Sequence, residues 1–261
     1  MGTVIGVINQ KGGVGKTTTS VNLGAALAEQ GKKVLLLDID PQGNLSTHLG
    51  IGAKENPENL TEDPTVPEFT IYDVLKGSKT INQVIINRSN NLDIVPGSLF
   101  LSAADLELGG VVGRELILKR ALEKVRAAYD VVVIDCPPAL GLLSLNALAA
   151  SDEVIIPVQS EYLALYGVRQ LLDTIDQVRG IYNPNLKVGG VLICLHDSRK
   201  RLARAVSDTI RAYFGDLVFD TVIRSNVSLA EAPAQGQSIF EYAPKSSGAE
   251  DYLSLSKEAL Q

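Results

Sequence analysis

The 261 residues predict an α/β fold, a doubly wound and mostly parallel sheet flanked by helices, in one domain over 1–261. Three observations predict it. Apolar runs recur at Val4 to Ile8, Val34 to Leu37, Val131 to Ile134 and Glu153 to Val158, and runs of this length and composition suit strands covered on both faces. Stretches of helical composition separate them. The polar, chemistry-bearing residues follow directly on the first three runs, where parallel strands present ligands at their carboxyl ends.

The first such group is Asn9-Gln10-Lys11-Gly12-Gly13-Val14-Gly15-Lys16-Thr17-Thr18-Thr19. It joins the strand Val4 to Ile8 to a helix over Ser20 to Gln30, stopped by Gly31. Glycines between a strand and a helix start let backbone N–H groups approach an anion, and the helix end adds partial positive charge. Lys16 then neutralises the terminal phosphates and the Thr17 hydroxyl holds Mg²⁺. The general pattern G-x-x-x-x-G-K-[ST] is not met, because Gln10 occupies its first position. The dinucleotide fingerprint G-x-G-x-x-G fails as well, at Thr18.

Composition excludes several classes. A hydrophobic content of 45% supplies an ample core, and no apolar run approaches the length of a membrane span. Cys136 and Cys194 are far apart without metal-ligand spacing, and no leader pattern precedes Val4, which together predict a reduced, cytoplasmic setting. A net charge of −6 argues against indiscriminate coating of nucleic acid.

In chain order, the second strand, Lys33 to Asp38, ends in Asp38-Ile39-Asp40-Pro41-Gln42-Gly43-Asn44. Residues Ala53 to Glu68 carry three prolines and five acidic residues, which predicts a surface loop. A short helix begins over Thr70 to Leu75, and Leu92 to Val95 is a strand capped by Pro96-Gly97. Ser102 to Ala128 is mainly helical but broken at Gly109, Gly110 and Gly113. Val131 to Asp135 is the strongest strand, and its terminal aspartate has the pattern of a carboxylate that holds Mg²⁺ through water. A helix over Gly141 to Ala150, the strand Glu153 to Val158, a helix over Leu163 to Gly180 and the strand Lys187 to Ile193 follow.

From His196 to Arg211 five basic residues (Arg199, Lys200, Arg201, Arg204, Arg211) face two acidic ones, a local excess of three. Lys200, Arg204 and Arg211 recur at steps of four and seven, one side of a helix, with Arg201 beside them. Such a face is either solvated or a contact for nucleic-acid phosphates. The last residues, Ala249 to Gln261, form a mixed-charge helix without the faces of a membrane-surface helix.

The run Lys11-Gly12-Gly13-Val14-Gly15-Lys16-Thr17, with its second lysine, resembles the deviant Walker A motif of the ParA/MinD family of P-loop ATPases. Asp38 to Asn44 resembles that family's switch I and Asp135-Cys136-Pro137-Pro138 its switch II. The best match is the compact Soj-like ParA type, over essentially the whole chain. The resemblance implies ATP and Mg²⁺ as cofactors, with Lys11, Gly12, Gly13, Val14, Gly15, Lys16, Thr17 and Thr18 around the phosphates and Asn226 near the base. Thr17, Asp38 and Asp135 serve the metal, Asp40 the attacking water, and Lys11 reaches the partner subunit's nucleotide.

It further implies an ATP-dependent homodimer, slow ATP hydrolysis stimulated by a ParB-like partner, no membrane, and association with the nucleoid in the ATP state. Non-specific double-stranded DNA is bound through Arg199, with Lys200, Arg201, Arg204 and Arg211 on the same face. One departure stands at Arg224-Ser225-Asn226-Val227-Ser228, where the family pattern has proline and two arginines; Arg224 is the available substitute for a DNA contact. The implied use is chromosome or plasmid partitioning. The alternatives are a positioning ATPase for a protein cargo, or an ATP-dependent regulator that binds only protein.

Overall fold

The run Val131–Asp135 is buried at all five positions and forms a strand as expected. The computed structural model describes residues 2–52, 67–160 and 164–260. Most of the loop predicted over Ala53 to Glu68 therefore lies outside the described residues.

In chain order the elements are β1 (Thr3–Val7), α1 (Lys16–Glu29), β2 (Val34–Asp38), α2 (Asn44–His48), α3 (Ile71–Leu75), β3 (Ile86–Ser89) and β4 (Leu92–Val95). Then come α4 (Ala104–Glu107), α5 (Ile117–Leu122), β5 (Val131–Asp135), α6 (Leu142–Ala150), β6 (Glu153–Gln159) and α7 (Ala164–Ile181). The last are β7 (Lys187–His196), α8 (Arg201–Phe214), β8 (Val218–Arg224), α9 (Val227–Glu231), α10 (Ile239–Tyr242) and α11 (Ser247–Glu258).

The strands form one sheet in the order β3-β4-β2-β5-β1-β6-β7-β8, parallel except for β3 against β4. Alternate residues of each strand feed two cores. Val4, Leu35, Val132 and Val154 face one, with α5, α6, α7 and α8. Ile5, Leu36, Val133 and Ile155 face the other, with α1, α2 and α11. The doubly wound fold follows from this period-two division of fully buried strands.

Neighbouring strands β1 and β5 lead to helices on opposite faces, α1 and α6. That reversal opens a crevice at their carboxyl ends. Register then brings the catalytic candidates together: Val7 pairs with Asp135, and Asp38 pairs with Asp135. Among the described residues no helix is long and apolar enough to cross a membrane.

Two differences from expectation have clear causes. Helix α1 starts at Lys16, not Ser20, because the phosphate-loop threonines themselves form its first turn. Strand β3 escaped the sequence pattern because Ile86-Asn87-Arg88-Ser89 is a half-exposed edge strand. Basic helix α8 begins at Arg201 with Lys200 as its N-cap residue.

Candidate nucleotide site and basic face

The loop between β1 and α1 is shaped by backbone that only glycine adopts easily: Gly13 has φ 74° and Gly15 φ 96°. A Cβ at Gly12 or Gly13 would meet no protein atom within 4 Å. The loop backbone is thus open at Gly12 and Gly13, where an anion can approach it. Hydrogen bonds to β6 and within the loop brace it. Asn9 Nδ2 donates to the Pro157 carbonyl at 2.7 Å, its Oδ1 accepts from Lys11 N at 3.0 Å, and Gln159 Nε2 donates to the Gly13 carbonyl at 2.8 Å. Gln159 Oε1 also receives Lys11 Nζ at 3.4 Å. The family motif did not single out Gln159; only the β1–β6 pairing reveals it.

Lys16 is 7% exposed, and its ammonium donates to the Lys11 carbonyl at 3.0 Å. Burial lowers its pKa, opposed by the charges of Asp135 and Asp40. Thr17 Oγ1 donates to Asp135 Oδ2 at 2.7 Å, and Ser20 Oγ to Asp135 Oδ1 at 2.9 Å. Asp38 lies beside Asp135, fully buried, with Oδ2 accepting from Ser46 N at 2.8 Å and Ser46 Oγ at 2.6 Å. Ser20 and Ser46 were invisible as site residues in the sequence, since each is a common helix residue until the fold aims it at a carboxylate.

Burial, with the neighbouring carboxylate second, pushes Asp135 up to about 8. Burial likewise pushes Asp38 up to about 6, against its bonds from Ser46. Two buried carboxylates this close together concentrate negative charge, which suits a cation. Asp38 Oδ1 is buried without a hydrogen-bond partner. Among the described residues no group of three or more acidic, His or Cys side chains closes a metal cage. A hydroxyl and carboxylates on one side, open toward the phosphate cradle, fit Mg²⁺, which keeps waters and phosphate oxygens in its shell.

Asp40 is 6% exposed at the turn after β2, where its Oδ1 accepts from Gln42 N at 2.9 Å. That bond closes an Asx turn at the residue that the family resemblance assigns to the attacking water.

A cleft of about 480 Å³ runs from the loop along α2. Gly13, Gly15, Lys16, Thr17 and Thr18 line one end; Asn44, Thr47, His48, Leu195 and Pro233 complete it. Leu195 holds a left-handed backbone, φ 53°, uncommon for a residue with a Cβ. Asn226, expected near the base, caps α9: its Oδ1 accepts from Ser228 N at 2.7 Å and its Nδ2 donates to Ser247 Oγ at 2.7 Å. Cys136 is buried with its thiol pushed up, consistent with a packing role.

The basic residues divide into two sets. Lys200, Arg201 and Arg204 are exposed along one side of the start of α8. The others lie against carboxylates. Arg199 forms a two-point pair with Asp197, at 2.9 and 3.0 Å, while remaining 89% exposed. Arg211 donates to the Asp220 carbonyl at 3.2 Å. Arg224 is gripped by Asp251 at 2.6 and 2.9 Å and by Glu250 at 3.0 Å. Its half-exposed guanidinium thereby ties β8 to α11.

A family model described as an AAA domain matches residues 2–188. Sporulation initiation inhibitor protein Soj of Bacillus subtilis is 49% identical over 99% of this chain and 98% of its own length. The chain belongs to the Soj/ParA family. Chromosome partitioning protein ParA of Caulobacter vibrioides is 44% identical over 98% of this chain and 93% of its own length. Among solved structures, cobyrinic acid a,c-diamide synthase from Mycobacterium smegmatis, with a bound ATP analogue and magnesium, is 38% identical with a TM-score of 0.81, covering 98% of this chain and 93% of that one. The family resemblance read from the motifs is borne out, as is the doubly wound fold.

Proposed function

We propose that the chain is an ATP-dependent dimerising switch that binds DNA non-specifically and hydrolyses ATP, with a ParB-like partner, to partition chromosomes or plasmids. The observation that carries it is one of continuity. Leu195 walls the nucleotide cleft, and Arg199 begins the basic turn four residues later. The nucleotide and the DNA-facing turn thus share the end of β7.

In this reading the amides of Gly12 to Thr18 and Lys16 hold the phosphates of ATP. Thr17, Asp135 and Asp38 hold Mg²⁺, directly or through water. The ion, when bound, supplies charge neutralisation on the phosphates. Asp40, fixed by Gln42 N, orients the attacking water. Lys11, steadied by Gln159, extends to the partner subunit's nucleotide and makes hydrolysis depend on dimerisation. Two basic turns on one dimer bind DNA together with far greater avidity than one. The protein is then cytoplasmic and nucleoid-associated in its ATP state.

One observation favours a second reading, an ATP-dependent switch that binds only protein. Arg199, Arg211 and Arg224 all lie against acidic partners within the chain, which reduces the charge offered to phosphates. Light scattering on an Asp40→Ala variant tests the switch: a dimer with ATP and a monomer with ADP is expected, and a monomer in both would contradict it.

A further inference from the structure

A pocket of about 310 Å³ between the end of α3 and α5 takes no part in the switch described so far. It shares no lining residue with the nucleotide cleft. Its floor is apolar: Val74 and Ile81 are buried in the core, and the half-buried Ile117 packs against them from α5. Three cations stand around that floor, Lys79, Arg120 and Lys124, and among the described residues no acidic one lines the pocket. In a chain of net charge −6 this is a local reversal of sign.

The cations are held without being neutralised. Lys79 Nζ stands 3.6 Å from the centroid of the Phe69 ring, a contact that places the ammonium and leaves its charge intact. Arg120 lies over Gly113, where an added Cβ would come within 2.7 Å of Nη2. Gly113, at φ 69°, therefore makes room for the guanidinium as well as turning the chain. That gives this glycine of the broken stretch a use beyond stopping a helix. Lys124 follows just past the end of α5. The carboxylates nearby are engaged elsewhere. Asp73 accepts from Thr70 N at 3.0 Å and Ser78 Oγ at 3.3 Å, Glu107 pairs with Lys76, Glu115 pairs with Arg114, and Glu123 lines a different pocket.

The donors on offer decide what fits. The N–H groups of Gly77, Ser78, Lys79 and Thr80 all have partners within the chain: the Val74 carbonyl, the Asp73 carbonyl twice, and Gln83 Oε1. The turn thus keeps no backbone nest for a bare phosphate. What remains is side-chain charge around an apolar floor. A nucleic-acid backbone would engage the cations and leave the floor unused. We propose that the pocket docks an acidic peptide segment of a partner protein, seating one apolar side chain on Val74, Ile81 and Ile117 and carboxylates on Lys79, Arg120 and Lys124. Val112, next to Gly113 and 95% exposed, adds apolar surface on the Arg120 side. Ile71 N bonds the Pro96 carbonyl at 2.9 Å and so sets α3 at the end of β4, whereas the basic turn follows β7 toward the other edge of the sheet. Peptide and DNA would not compete, and the site does not depend on the nucleotide reading.

The test uses the full chain and a fluorescent synthetic peptide of glutamates around one central leucine. Anisotropy should show saturable binding with or without ATP, weakening as salt rises. Exchanging the leucine for serine should weaken binding about tenfold, the lower end of what burying a leucine contributes. Arg120→Ala with Lys124→Ala should weaken it roughly three- to tenfold, as loss of two exposed ion pairs does, with melting temperature and ATP affinity as in the wild type. Both side chains are exposed, and the serine peptide on the unaltered chain gives a readout that needs no variant.

Absence of peptide binding at low salt overturns the proposal, as does binding that neither the serine peptide nor the double variant weakens. A double variant that loses duplex DNA affinity but keeps its peptide affinity would assign the face to nucleic acid and overturn it too. A chain that takes up the peptide yet never dimerises with ATP would sink the switch and leave this site standing.

Discussion

Thr17 Oγ1 and Asp135 Oδ2 are joined by a 2.7 Å hydrogen bond that ties the first turn of α1 to the end of β5. The two groups expected to serve Mg²⁺ are thereby held together in advance, with Ser20 fixing the other carboxylate oxygen. Thr17→Ala should weaken the magnesium dependence of nucleotide binding by about 10- to 100-fold, as loss of an orienting group at a metal site does. Titration calorimetry with and without Mg²⁺ checks this. Equal magnesium dependence in variant and wild type would remove Thr17 from the site.

The pH dependence of stability follows from three buried groups. Asp38 and Asp135, raised to about 6 and about 8, keep protons in the folded chain that the unfolded chain has lost. The folded state then binds more protons, so this contribution falls as pH rises from the ordinary carboxylate range through those values. His48, lowered to about 4, acts in the opposite sense, but only up to its unfolded value of 6.5. Above that, His48 no longer contributes. The melting temperature of the ligand-free protein should fall from about pH 6.5 to 8, and Asp135→Asn should flatten the slope. A flat wild-type profile would contradict the assignment.

Lys11 and Gln159 make a separate prediction. Because Gln159 holds both the Gly13 carbonyl and Lys11 Nζ, it positions the lysine without lining the phosphate cradle. Lys11→Ala should bind ATP yet lose dimer formation and stimulated hydrolysis, and Gln159→Ala should show a weaker form of the same defect. Sedimentation with ATP measures both. Unchanged dimerisation in Lys11→Ala excludes the cross-subunit role.

Arg224 separates stability from DNA contact. Its removal leaves the Asp251 carboxylate, 9% exposed on its side chain, without its main partner. Arg224→Ala should cost about 2 kcal/mol of stability while leaving DNA affinity close to wild type, as denaturant melts and filter binding would report. A large loss of DNA affinity at unchanged stability would restore the residue to the DNA face.

The sequence was most legible where one local rule decided the outcome. Val131 to Asp135 is a continuous apolar run, and Lys11 to Thr17 has little structural use for its glycines and lysines without an anion. It was least legible where function depends on what the fold brings near. Gln159 acts only through the pairing of β6 with β1, and Ser46 only through the turn that folds α2 back onto the end of β2. Asn226 also caps a short helix, a local role the family resemblance did not bring out. Arg224, at the end of β8, gains the acidic partners Asp251 and Glu250 only through the fold.

The central claim, that nucleotide state controls a DNA-binding face, is tested most directly by binding to arbitrary duplex DNA with ATP, ADP or no nucleotide. The Asp40→Ala variant holds the ATP state. Binding with ATP alone, falling steeply with salt and abolished by Arg199→Glu with Arg204→Glu, is the predicted result. An ATP-dependent dimer that ignores DNA at low salt would contradict it and leave the protein-binding switch as the better account.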